Sequence, residues 1–281
     1  MKKKFTLFVA LMVSVLLFSS CHKEGQYLPK KKITKIEHTA TNGLHEIEEW
    51  VWDGQLLSSV TVKFGSGEII NEMTFKYDSD KRVESIRADY QDFVENYVFT
   101  YDGKDLVKIS RQEEGDAKVD IFTFKKVDGN VVEITLSPVA AKSFSSVNLL
   151  RFILPSKVAD QIKPTDAKVT TTYKLTWVGN NVTQLEALAD GVSAMKTTWS
   201  YDKMINPFNG LYTSEFLTSQ EELYSANNII EETTVFKVMG IERTIHKNFE
   251  YKYDGKYPIE CNWVNDASGQ QVSNTKKYYY K

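Results

Sequence analysis

Rings and charges alternate in short bursts along most of this chain. Phe75 and Tyr77 are interleaved with Thr74 and Lys76, and Phe249, Tyr251 and Tyr253 with Glu250 and Lys252. A period of two sends the rings to one face of an extended strand and the polar side chains to the other. Each burst ends at a chain-reversal signal such as Asp53-Gly54, Asp102-Gly103, Asp128-Gly129, Gly179-Asn180 or Asp254-Gly255. These residue types tolerate the positive φ of tight hairpin turns. Leucines and β-branched residues then resume, as at Leu56, Leu57 and Val60, or Val83 and Ile86. The unit is a β-hairpin.

The unit repeats. Its Asp position, Val178 in one copy, falls at 53, 78, 102, 128, 178, 202 and 254, in steps of 24–26 residues or about twice that. In the fourth copy Phe124 and Asp128 stand one residue too far apart, and a β-bulge between them would restore the face. Asn227-Asn228-Ile229-Ile230 is a faded copy within the last long step. Hairpins of this length give strands of about eight to ten residues, and roughly 14–18 of them in the chain. Twisted sheets of that size curl or close. The expected class is all-β: an antiparallel up-and-down meander closing into a barrel or a strongly curled sheet, with one or two short helices.

The helices are expected where the period fails, at residues 137–168. Phe144, Val147, Leu150 and Leu154 share one helical face before Pro155, and Ser145 or Ser146 can cap it. A second short helix follows over 156–162, and 218–223 has a cap-like start of its own. Such helices either stopper a barrel end or cover a ligand cavity as a lid.

The N-terminus has a different pattern. Lys2, Lys3 and Lys4 precede an apolar run from Phe5 to Phe18, then Ser19, Ser20 and Cys21. That is the order of a secretory signal, and the run is shorter than the roughly 20 residues of a membrane-spanning helix. Phe18-Ser19-Ser20-Cys21 resembles the lipobox of bacterial lipoproteins, with Phe18 where Leu is usual. The resemblance implies cleavage before Cys21 and acylation of Cys21. The expected layout is a signal peptide over 1–20, a lipidated tether over 21–32 and one β domain over 33–281. The run Lys30-Lys31-Lys32 is expected to keep the tether soluble near head groups. No acidic run follows Cys21, which leaves periplasmic and cell-surface placement on the outer membrane both open.

Charge narrows the partners. The chain carries 35 basic and 37 acidic side chains, and removing residues 1–20 takes away three lysines and no acid. With no basic excess, nucleic acid is not an expected partner. Of two cysteines one is the lipid site, so Cys261 has no partner for a disulfide and reads as a small buried apolar residue.

Catalytic and metal motifs are missing. His45-Glu46-Ile47-Glu48-Glu49 has Glu where a zinc-binding H-E-x-x-H has its second His, and it leads into a strand. His22, His38, His45 and His246 lack ligand spacing. Gly65-Ser66-Gly67 is a turn without the strand-to-helix context of a nucleophile elbow. No cofactor or metal is expected. Trp50, Trp52, Trp177 and Trp199 are the candidate ligand-stacking rings, with Trp263 beside them, although their strand spacing equally suits a core.

Two family resemblances rest on these hairpins. Tyr77-Asp78-Ser79-Asp80-Lys81-Arg82-Val83-Glu84-Ser85-Ile86 looks like a YD repeat, with Lys81 where Gly is usual. Tyr201-Asp202-Lys203, Asn206-Pro207-Phe208-Asn209-Gly210-Leu211, Asn227-Asn228-Ile229 and Trp177 to Val182 resemble segments of a Bacteroidota lipoprotein family of unknown function described as porin-like. That resemblance covers roughly residues 33–281 and implies a large antiparallel meander or barrel with no established activity. The chain's own lipid anchor favours a water-soluble barrel with its aromatic face inward over a membrane-spanning one. The function expected is a monomeric, non-enzymatic, lipid-anchored envelope protein that binds or scaffolds, touching glycan or an outer-membrane partner. The alternatives are a carrier of a small apolar ligand inside the barrel, and a glycan-processing enzyme.

Overall fold

The computed structural model describes residues 24–117, 119–138, 170–211, 224–238, 241–267 and 270–281. The helices expected within 143–162 and at 218–223, and Cys21, fall outside these residues. The first eight strands are β1 (Ile33–Ala40), β2 (His45–Asp53), β3 (Leu56–Phe64), β4 (Ile69–Tyr77), β5 (Val83–Asp89), β6 (Val94–Asp102), β7 (Asp105–Glu113) and β8 (Asp120–Val127). The others are β9 (Asn130–Pro138), β10 (Thr171–Val178), β11 (Asn181–Ala189), β12 (Val192–Tyr201), β13 (Ile229–Val238), β14 (Ile241–Asp254), β15 (Tyr257–Ala267) and β16 (Gln270–Tyr280). Each strand pairs antiparallel with its neighbours in sequence, and β1 pairs with β16, so the 16 described strands form a closed up-and-down barrel. The seam keeps Ile36 opposite Tyr278 and Thr39 opposite Thr275.

The expected alternation sets the two faces. On β4, Met73 and Phe75 are buried while Glu72, Thr74 and Lys76 are exposed. On β14 the even-numbered residues from Glu242 to Lys252 are exposed and the odd ones between them are not. The rings form one continuous core with the aliphatic residues of the partner strands. Polar side chains such as Glu72, Thr74 and Lys76 therefore face outward along these strands.

Seven strand pairs share an irregularity. The pairing slips at Trp52, Tyr77, Tyr101, Lys126, Trp177, Tyr201 and Tyr253, the last inward residue of each outgoing strand. The extra residue lies on the returning strand. Trp50 faces Val60 and Trp52 faces Leu57, which leaves Ser58 as the bulge. The returning strands thus bury residues three apart: Leu57 and Val60, Val83 and Ile86, Leu106 and Ile109, Val131 and Ile134, Val182 and Leu185. A bulge does occur in the fourth hairpin, but opposite the position expected and in common with the other copies. Asp128 there (φ 51°) aligns with the left-handed Gly54 (φ 54°) and not with Asp53. Asp128-Gly129 has positive φ at both residues, the type I′ pattern, whereas the Gly54-Gln55 turn has it only at Gly54, the type II′ pattern.

Candidate functional site

The two ends of the barrel differ. At the end carrying the Asp-Gly turns, the last ring of a hairpin donates a hydrogen bond back to a neighbouring strand. Trp52 Nε1 donates to the Ile33 carbonyl (2.7 Å), Tyr77 Oη to Leu57 (2.7 Å), Tyr101 Oη to Val83 (2.8 Å) and Trp177 Nε1 to Val131 (2.7 Å). Tyr201 Oη donates to Val182 (2.5 Å) and Tyr280 Oη to Pro258 (2.8 Å). Slippage leaves these carbonyls out of the ladder's regular pairing, and the phenols and indoles bond to them. Burial raises the pKa of Tyr77, Tyr101 and Tyr280 above the ordinary phenol value.

This end is plugged. Residues 24–32 run across the hairpin tips, and Tyr27 inserts with 2% of its surface exposed, against Trp52. Its hydroxyl donates to the Pro207 carbonyl at 2.7 Å. Phe208 packs on Trp50 and on Tyr278. A polar clamp holds the 203–211 and 224–228 segments in place. Asp202 Oδ1 accepts from the amides of Met204 (2.9 Å) and Asn228 (3.1 Å), and its Oδ2 accepts from Asn228 Nδ2 (3.2 Å) and from the Tyr253 hydroxyl. Asn181 exchanges hydrogen bonds with Asn227, whose Nδ2 reaches the Met204 carbonyl. Asn206 Nδ2 donates to the Ser225 carbonyl at 2.8 Å. The Asn-Pro-Phe and Asn-Asn motifs are thus a fastening. A cleft of about 290 Å³, including solvent-open space, lies beside it between Phe208, Asn228, Tyr251 and Tyr278.

Toward the far end the inner face turns polar. Glu95, Arg111 and Asp120 continue the inward rows of Tyr97, Ile109 and Phe122. Arg111 lies 2.9 Å from Asp120 and 3.7 Å from Glu95, and Tyr97 donates to Glu95 at 2.5 Å. Trp50 and Trp199 each donate an indole N–H to an inward carboxylate, Glu48 and Glu232, at 3.1 Å. Lys247 balances Glu232 at 2.8 Å. His38 stacks on Trp263 with centroids 5.3 Å apart, its Nε2 3.1 Å from Asn274 Oδ1 and its Nδ1 3.4 Å from Glu46. The Lys276 ammonium lies 5.9 Å from the Trp263 ring centre. On the inward face of β4, Asn71 is 7% exposed and its side-chain oxygen has no hydrogen-bond donor among the described residues. Asn265 on β15 has a buried side-chain oxygen in the same condition. Charges, amides and one stacked ring are the equipment of a polar-ligand site.

The four candidate stacking tryptophans do not meet there. Trp50 and Trp199 are core residues at 6% and 7% exposure, and Trp52 and Trp177 are latches at the plugged end. Trp263 belongs to the polar half. Cys261 is buried and forms no disulfide among the described residues. Sequence reading gave no inward role to Glu48, Glu95, Arg111, Asp120 or Glu232. Their signal was phase: each shares an inward row with the rings around it.

Comparison with known proteins supports the architecture. The chain is similar to a porin-like protein from Bacteroides uniformis ATCC 8492, with 12% identity, TM-score 0.53, and coverage of 92% of this chain and 100% of that one. A porin-like protein from Bacteroides vulgatus ATCC 8482 aligns over 90% of this chain and 99% of its own, with 10% identity and TM-score 0.35. At such identities the likeness to the first concerns the fold alone. No family model and no curated protein matches the chain.

Proposed function

We propose that this protein is a non-enzymatic envelope protein, held to a membrane by lipid on Cys21, that binds a glycan in the polar half of its barrel. The carrying observation is the Trp263–His38 stack ringed by Glu46, Asn274 and Lys276. A ring face suits a sugar's C–H surface, and amides with carboxylates suit its hydroxyls. The outer face supports a barrel surrounded by water. Glu72, Thr74 and Lys76 stand where a spanning barrel needs an apolar band. A porin-like neighbour fits an envelope setting without requiring a pore.

The test has two parts. Cells fed radiolabelled palmitate should label the wild-type chain and not Cys21→Ala. The purified protein should bind one class in a polysaccharide panel by calorimetry, and Trp263→Ala should weaken that binding at least tenfold with the circular dichroism unchanged. No binding across the panel, or binding indifferent to Trp263, overturns the glycan reading. Channel conductance in a planar bilayer overturns the water-surrounded barrel.

A further inference from the structure

The length of free chain between anchor and barrel fixes how the molecule stands. A tether over 21–32 would be twelve residues, a reach of roughly 40 Å, and would leave the barrel free to tumble. The structure shortens it. Glu24 is already fastened: its amide donates to the Lys104 carbonyl (3.2 Å), its Oε2 accepts from the Leu106 amide (2.6 Å), and Lys126 pairs with the same oxygen. Gly25 accepts from the Val83 amide at 3.0 Å. Gly25 also has φ +78° and passes so close to Tyr101 that a Cβ would lie 2.1 Å from its hydroxyl. Gln26 donates to the Asp80 carbonyl at 2.6 Å, and Tyr27 is the buried plug. Further on, Lys31 pairs with Asp254 at 2.8 Å, and Lys32 and Lys281 exchange backbone hydrogen bonds. Of the lysines expected to solubilise a tether, Lys31 and Lys32 instead clip the segment to the hairpin tips.

We infer that the protein stands on the bilayer with its plugged end against the lipid head groups and the polar half of its interior pointing away from the membrane. The inference rests on lipidation of Cys21. Three Cα–Cα steps lead from Cys21 to Glu24, a reach of about 11 Å. A nine-residue strand such as β4, about 30 Å long and tilted as barrel strands are, separates the two ends by roughly 23 Å. A barrel standing on that end holds its far end clear of the surface that carries the lipid. The surface presented is the ring of tips with exposed Lys81, Lys104 and Lys256, together with Leu28 (43% exposed) and Val127 (51% exposed). Asp53, Asp80 and Asp128 sit among those lysines, so the tether, and not net charge, sets the orientation. Polymers arriving from the side away from the membrane would meet the polar half first.

Energy transfer tests this on the full, lipid-modified chain in phosphatidylethanolamine–phosphatidylglycerol vesicles carrying a rhodamine head-group acceptor in the outer leaflet. Donor dyes go on Ser79→Cys, at a plugged-end turn, or Ser66→Cys, at a far-end turn. The unaltered chain should take no dye, because Cys261 is buried. Transfer should be severalfold greater from position 79 than from 66, and inserting twelve Gly-Ser residues between Lys23 and Glu24 should shrink that contrast. Equal transfer, reversed transfer, or a contrast indifferent to the insertion overturns the orientation while leaving the anchor intact. Loss of vesicle binding by the wild type together with absence of palmitate at Cys21 overturns both, and the palmitate assay tells these failures apart.

Discussion

The Tyr101 hydroxyl donates to the backbone carbonyl of Val83, 18 residues earlier, at 2.8 Å, and the same contact recurs from hairpin to hairpin. Tyr77 to Leu57 and Tyr201 to Val182 are the same relationship one or more units away. A repeat that looks like an aromatic pattern in sequence is also a chain of latches, each hairpin fastened to the one before it by the ring at its own slip point.

Removing one latch hydroxyl should therefore cost stability without changing the fold. Tyr77→Phe leaves the Leu57 carbonyl without its donor, a loss of about 1–2 kcal/mol. Urea unfolding should show a lower midpoint at constant slope, and Tyr77→Phe with Tyr201→Phe should give the sum of the single effects, since the two latches share no partner.

Lys126 occupies the latch position of the fourth hairpin, where the other copies carry a ring, and joins Glu24 to Asp105. Lys126→Met should cost about 1–3 kcal/mol, part of it from Glu24 left facing Asp105. It should also loosen the entry segment. Limited proteolysis should cut within 24–32 faster in the variant while the barrel core resists.

Asp202 collects four donors at the plug, and Asn228 beside it is 5% exposed. Asp202→Ala strands those donors and should cost about 2–4 kcal/mol. Hydrogen exchange should rise at 203–211 and 224–228 before it rises in the strands.

Alkali should unfold the barrel. Burial raises the pKa of Tyr27, Tyr77, Tyr101 and Tyr280, and of Tyr173 to about 12. The folded state holds these protons past about pH 10, where the unfolded chain releases them. Their contribution is thus complete below pH 10 and is lost as pH climbs through the raised values. Absorbance at 295 nm should show a late, cooperative phenol ionisation coinciding with loss of the β circular dichroism signal. Gradual ionisation with the fold intact would contradict the buried latches.

Much of this architecture was legible because the repeat is local. Period-two rings and Asp-Gly turns specify hairpins from neighbouring residues, and the number of hairpins implies closure. The step of three on the returning strands was visible at Leu57 and Val60 or Val83 and Ile86, but without a partner strand it does not announce a bulge. The fourth copy misled because Asp128 sits in the turn itself and Lys126 takes a ring's place. The folding back of 24–32 depends on partners as remote as Pro207, and no local pattern encodes that. The polar half was hidden because Glu48 and Arg111 look like surface residues until their phase with Trp50 and Ile109 is followed.

The most direct test is a cysteine scan along β4 in the membrane-bound protein, residues 72 to 76 in turn, reacted with a membrane-impermeant maleimide applied to the accessible side. Rings inward and water outside predict labelling at Glu72→Cys, Thr74→Cys and Lys76→Cys and protection at Met73→Cys and Phe75→Cys. The reverse pattern, with 73 and 75 open to the reagent and 72, 74 and 76 shielded, would mean that lipid and not water surrounds the barrel.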